Sequence, residues 1–150
     1  MTNLFKKEIH IDADAETVWR NLTQPELVKQ WIGEPQMGVE IETNWRVGSP
    51  IIITGFHHIK FRNKGVVLQF EPNKFLQYTQ LDSVSRLPDV AESYTILEFL
   101  LTPFKNGTQL SLTISNFPTE TIFKHLEFYW RGTLEIFKKV VENQSEIIQQ

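Results

Sequence analysis

The spacing of apolar residues changes twice along this chain, and the changes divide it into extended and helical parts. From Phe5 to Ile11 the second half alternates, with Ile9 and Ile11 on one side and Glu8 and His10 on the other, which predicts a half-buried strand. Asp14 then offers a side-chain oxygen to cap a helix from Ala15 to Leu22. Val18, Trp19 and Leu22 share a face of that helix, and Glu16 stands in the first turn, where the helix dipole favours an acid. Pro25 suits the first position of a second short helix running through Leu27, Val28 and Trp31, and Gly33, Pro35 and Gly38 end it. From there to residue 116 the period is two. Strands are predicted at Val39–Thr43, Pro50–His58, Gly65–Glu71, Lys74–Leu81, Glu92–Thr102 and Thr108–Asn116. Turns are predicted at Asn63-Lys64-Gly65, Glu71-Pro72-Asn73 and Lys105-Asn106-Gly107. Asp82 to Val90 carries no period and reads as a mobile loop or rim.

After Pro118 the period becomes helical, with Ile122, Leu126, Tyr129, Trp130, Leu134, Phe137, Val140 and Val141 on one stripe. A helix from Thr119 to Glu142 would be about 36 Å long, enough to cross a small sheet. On its other face Glu127, Arg131, Glu135 and Lys139 alternate in sign four apart, the pattern of a solvated scaffold. Gly132 in the middle of such a helix costs about 1 kcal/mol relative to alanine. It predicts either the close approach of another backbone or an exposed position that tolerates it.

The connections between successive strands are too short for parallel crossovers, so the sheet must be mostly antiparallel. The fold class is α+β: a curved antiparallel sheet of about seven strands wrapped around the long C-terminal helix, with two short helices between the first and second strands. With no repeat or linker, residues 1–150 are expected to form one domain.

Composition narrows the function classes. The chain is 41% hydrophobic and 22% charged, ordinary for a globular protein, and its net charge of −3 with no basic stripe argues against nucleic acid. It has no cysteine, which excludes disulfides, thiolate nucleophiles and cysteine-ligated zinc, and fits the cytoplasm. The amino terminus lacks the apolar run of a signal peptide, and no segment reaches the ~20 apolar residues needed to span a bilayer.

Candidate chemistry is sparse. His57 and His58 are neighbours on a predicted strand and would face opposite ways, so no metal site is expected there. His10 and His125 read as surface residues, Glu71 as part of a turn, and Glu98 as solvent-facing between Leu97 and Phe99. No serine stands in a nucleophile elbow, no carboxylates pair at a defined spacing, and no glycine-rich loop cradles phosphate. No catalytic residue and no cofactor is assigned.

The order of several short sequences resembles a known superfamily across nearly the whole chain. They are Ala13-Asp14-Ala15-Glu16-Thr17-Val18-Trp19, Leu22-Thr23-Gln24-Pro25-Glu26, Trp45-Arg46-Val47-Gly48-Ser49, Gly65-Val66-Val67-Leu68, Glu71-Pro72, Gly107-Thr108 and His125 to Leu134. Together they look like the START-like superfamily, also called SRPBCC or the birch-pollen-allergen fold, in the branch named after the C-terminal domain of the heat-shock-protein-90 ATPase activator. The resemblance implies a helix-grip fold with a hydrophobic cavity between sheet and helix, and it imports no catalytic motif. The chain has no room for the activator's additional amino-terminal domain. A dry cavity of about 300 Å³ would cost on the order of 7 kcal/mol, comparable to a domain's whole net stability, so aromatic side chains, water or a ligand should occupy it. Three readings follow. The first is non-enzymatic binding of a small hydrophobic molecule in a reduced cavity lined by some of Ile53, Leu68, Phe70, Leu97, Phe99, Leu112, Tyr129 and Trp130. The second is a chaperone-activator-like protein-interaction module, with Phe128 on the charged helix face as a candidate contact. The third is an enzyme of the cyclase, dehydratase or hydrolase kind. Sequence does not set the oligomeric state.

Overall fold

The computed structural model describes residues 3–149. Seven strands form one curved sheet: β1 (Phe5–Ile11), β2 (Glu40–Glu42), β3 (Pro50–His57), β4 (Ile59–Glu71), β5 (Phe75–Gln80), β6 (Thr95–Phe104) and β7 (Gly107–Ser115). Their order across the sheet is β1-β7-β6-β5-β4-β3-β2, and every neighbouring pair is antiparallel. Between β1 and β2 stand α1 (Ala15–Thr23) and α2 (Pro25–Val28), and α3 (Glu120–Gln149) ends the described chain. This is the α+β helix grip that the hydrophobic pattern predicts.

Local chemistry sets the element ends. Asp14 accepts from the Thr17 backbone N–H at 2.8 Å and so caps α1, and the Thr119 hydroxyl accepts from Ile122 N–H at 3.1 Å at the start of α3. The hydrogen bond from Thr17 is the main reason the Asp14 carboxyl lies below its ordinary value. The stripe on α3 is buried from Ile122 through Val141, with Tyr129 and Val140 half-buried. The helix runs past the predicted end at Glu142 because Gln144 pairs with Asn21 of α1, each amide donating to the other at 2.9 to 3.0 Å. Lys138 Nζ also donates to the His10 carbonyl at 2.6 Å, and Asp12 N–H donates to Glu142 Oε2 at 2.8 Å, fastening α3 to β1.

Three predictions along the strands are corrected. The turn expected at Asn63-Lys64-Gly65 lies instead at His58, whose φ of 64° is left-handed, and β4 runs unbroken through Gly65. Gly65 has a different purpose: a Cβ there would fall 1.6 Å from the Thr79 carbonyl oxygen, so only glycine allows β4 and β5 to approach. His57 and His58 therefore stand at a hairpin tip with ring centroids 4.5 Å apart, not on opposite faces of a strand. The sixth strand starts three residues late because Ala91–Ser93 forms a 3₁₀ turn, and it continues through Pro103 to Phe104. The other turns are as predicted, with Asn73 at φ 67° and Lys105 at φ 57°.

The loop between β5 and β6 is tethered to β4. Ser83 Oγ accepts from Arg62 N–H at 2.9 Å, Ser83 N–H donates to Asn63 Oδ1 at 3.0 Å, and Lys64 Nζ lies 2.5 Å from Asp89. Beyond its chain neighbours and the helix's own backbone, nothing lies within 4 Å of where a Cβ would stand on Gly132, so that position is open and tolerated. No helix among the described residues is long and apolar enough to cross a membrane.

Candidate functional site between the sheet and the terminal helix

The concave face of the sheet and the inner stripe of α3 enclose an aromatic interior. Strand alternation delivers Leu76 and Tyr78 from β5, Leu97, Phe99 and Leu101 from β6, and Leu110, Leu112 and Ile114 from β7, all buried. Phe99 meets Trp130 edge-on at 5.7 Å and stacks with Tyr78 at 6.2 Å. Trp130 in turn lies 5.1 Å from the Tyr129 ring and 6.2 Å from Trp31, and Trp31 meets Phe137 at 4.9 Å. Aromatic side chains thus fill much of the grip.

Of the eight predicted lining residues, Leu97, Phe99, Leu112 and Trp130 are brought together in this cluster, with Tyr129 against Trp130. Phe70 belongs to a second aromatic group, 5.2 Å from Trp19 and 5.6 Å from Trp45, and Ile53 is buried on β3 opposite Asn63, away from Phe70 along β4. Leu68 is on the outer face, 37% exposed. The reason is a bulge between Val67 and Gln69: the extra residue turns Val67 and Phe70 inward, three apart, where an unbroken period of two would have put Leu68 and Phe70 together.

The interior also holds polar groups, of which Tyr129 is a predicted lining residue and Tyr78 is not. Tyr78 is only 6% exposed, and burial, then the neighbouring Tyr129, pushes its phenol far above the usual tyrosine value. Tyr129 is pushed up to about 12 by burial, and its hydroxyl donates to the Ile32 carbonyl. Trp31 Nε1 donates to the Asn21 carbonyl and Trp45 Nε1 to the Thr23 carbonyl, each at 2.8 Å, which ties the turn after α2, where the predicted helix through Trp31 stops at Val28, and the loop before β3 to α1. Tyr78 shares a face with Leu76 by simple alternation, and that was the available signal. Trp45 had no periodicity, since its φ of 60° puts it in an irregular loop, and its one signal was the Trp45–Ser49 motif of the family resemblance.

Other titratable groups are placed as follows. Glu98 is half-buried and accepts from Gln77 Nε2 at 2.7 Å, not free in solvent as predicted. His10 is half-buried against Phe104 at 5.7 Å, and its Nδ1 is enclosed without a partner among the described residues. His125 and Glu71 are exposed. Among the described residues, no group of three or more histidines or acids is arranged to hold a metal ion.

Comparison with known proteins agrees with this geometry. The family model described as activator of Hsp90 ATPase homolog 1-like protein matches residues 12–142. A Cytophaga hutchinsonii protein solved in solution is 31% identical, with 96% of this chain and 97% of that one covered and a TM-score of 0.78. A Chromobacterium violaceum crystal structure shares the fold at 21% identity, covering 93% and 97% of the two chains with a TM-score of 0.81. The solution structure of the Aha1 dimer from Colwellia psychrerythraea does so at 23% identity, 93% and 96% coverage and a TM-score of 0.72. No curated protein matches the chain in sequence. The match over residues 12–142, on a helix grip of the same shape, places this chain in the family of activator of Hsp90 ATPase homolog 1-like proteins.

Proposed function

We propose that the chain is a binding module that takes a small hydrophobic molecule between the sheet and α3, without catalysing a reaction on it. The observation that carries this reading is the Tyr78 hydroxyl. Its ring is buried against Phe99 and beside Tyr129 of α3, which puts a phenol among otherwise apolar walls. A phenol in that position can exchange a hydrogen bond with a polar atom of a ligand. Apolar walls with one or two convergent polar groups are the usual make-up of a small-molecule site. Leu97, Phe99, Leu112, Tyr129 and Trp130 supply those walls, with Ile53 and Phe70 toward β3 and β4, and Leu68 takes no part. The occupant is an apolar body carrying one hydroxyl or carbonyl, small enough to share the grip with these rings. A cytoplasmic setting belongs to the same proposal and is supported by the cysteine-free composition.

Titration with anilinonaphthalene sulfonate, followed by displacement with dodecanol, tests it. Saturable fluorescence, a raised melting temperature and displacement are expected, and Tyr78→Phe should weaken dodecanol by about fivefold through the lost hydrogen bond. A flat titration with no melting shift would overturn the reading.

A second reading has its own observation. Phe128 is 84% exposed on a face otherwise occupied by Glu127 and Arg131, which pair at 3.5 Å. Such an aromatic suits contact with another protein, as a chaperone-activating module would need. Stimulation of a chaperone ATPase that Phe128→Ala abolishes is the expected result, and failure to stimulate or to co-purify with the chaperone ends this reading.

A further inference from the structure

A second concavity lies outside the grip, over the β3–β4 hairpin. The 3₁₀ turn Pro35–Met37 packs against β3 on one side and the 3₁₀ turn Ser83–Ser85 against β4 on the other, leaving an open groove of about 820 Å³ between them. Phe56, Ile59 and Val84 line it while remaining half or more exposed, and Met37 adds a flexible thioether. The charged residues in its lining are Lys60, Arg62 and Arg86, all cations, in a chain whose net charge is −3. None of the three is in an ion pair among the described residues. Other cations in this part of the fold are paired: Lys64 with Asp89 at 2.5 Å and Lys29 with Glu40 at 3.0 Å. Lys60 and Arg62 are two residues apart on β4, so they project from one face about 7 Å from each other, the repeat of an extended strand.

We propose that this groove docks an extended acidic segment of a partner protein, one in which carboxylates alternate with apolar side chains. Carboxylates two residues apart on such a segment match the Lys60 and Arg62 repeat, with Arg86 on the opposite wall. The apolar side chains cover Phe56, which pairs with Lys60 and shares its face, and Val84. The groove is open along its length, which suits a peptide whose backbone keeps contact with water. An acyl chain lying there would leave much of its surface wet. Neither the grip interior nor its occupant enters this argument.

The test is fluorescence polarisation with a short fluorescein-labelled peptide of alternating glutamate and leucine, on the full chain, with the lysine–leucine counterpart as control. Saturable binding that weakens with added salt is expected for the acidic peptide alone. Lys60→Glu/Arg62→Glu should weaken it about tenfold or more, and Phe56→Ser several-fold. These side chains are exposed, and an unchanged thermal melt checks that each variant is folded. No binding, equal binding to the variants, or displacement of the peptide by dodecanoate or an oligothymidylate at lower concentration would overturn the proposal.

Discussion

Gly132 and Gly65 are the same residue type with opposite reasons for being there. Nothing crowds Gly132, so Gly132→Ala should stabilise the protein by about 1 kcal/mol and raise the melting temperature by about 2–4 °C in a calorimetric scan. Gly65→Ala would push a methyl group into the Thr79 carbonyl, and circular dichroism should record a markedly lower melt or loss of the fold. Two carboxylates set the acid limb of stability. Burial pushes Glu142 up, but the Lys138 ammonium at 2.7 Å and the Asp12 N–H outweigh it, so its carboxyl lies below its ordinary 4.5. Asp14, held by Thr17, lies below 3.8. A lowered folded value means that stability is present above the unfolded value and lost as pH falls through the folded one. Glu142→Gln should therefore melt below the wild type at neutral pH, and the difference should close as the pH falls below 4.5 and through the lowered folded value.

At the scale of elements, the long alternations were legible and the irregular joints were not. The α3 stripe could be read because eight apolar residues repeat at helical spacing, and each is buried or half-buried. β4 could not be read whole, because Asn63-Lys64-Gly65 carries turn chemistry although Gly65 serves a close strand approach. The bulge after Val67 left no mark in composition, and it alone moved Leu68 out of the interior. Packing between elements is where the energy lies. Phe99 at 2% exposure and Trp130 at 5% join β6 to α3, so truncating either to alanine should cost about 3–5 kcal/mol in denaturant melts. Leu68→Ala, on the outer face, should cost well under half of that.

For the molecule as a whole, seven antiparallel strands close around one helix, and the interior they share is aromatic, with the Tyr78 phenol buried in it. Most of its lining could be predicted, since inward alternation and the α3 stripe name Leu97, Phe99, Leu112 and Trp130. Tyr78, which gives the interior its polarity, follows the same alternation but was hidden among many apolar candidates. The surface groove at the β3–β4 hairpin was invisible because it depends on two 3₁₀ turns remote in sequence meeting one hairpin. The central claim is that a ligand enters the grip. Methyl-resolved NMR of protein labelled at isoleucine and leucine, titrated with dodecanol, tests it most directly. The account predicts shifts and ligand contacts at Ile53, Leu97 and Leu112, with Leu68 and Leu100 on the outer face unmoved. Shifts confined to Leu68 and Leu100, or none at all, would contradict it.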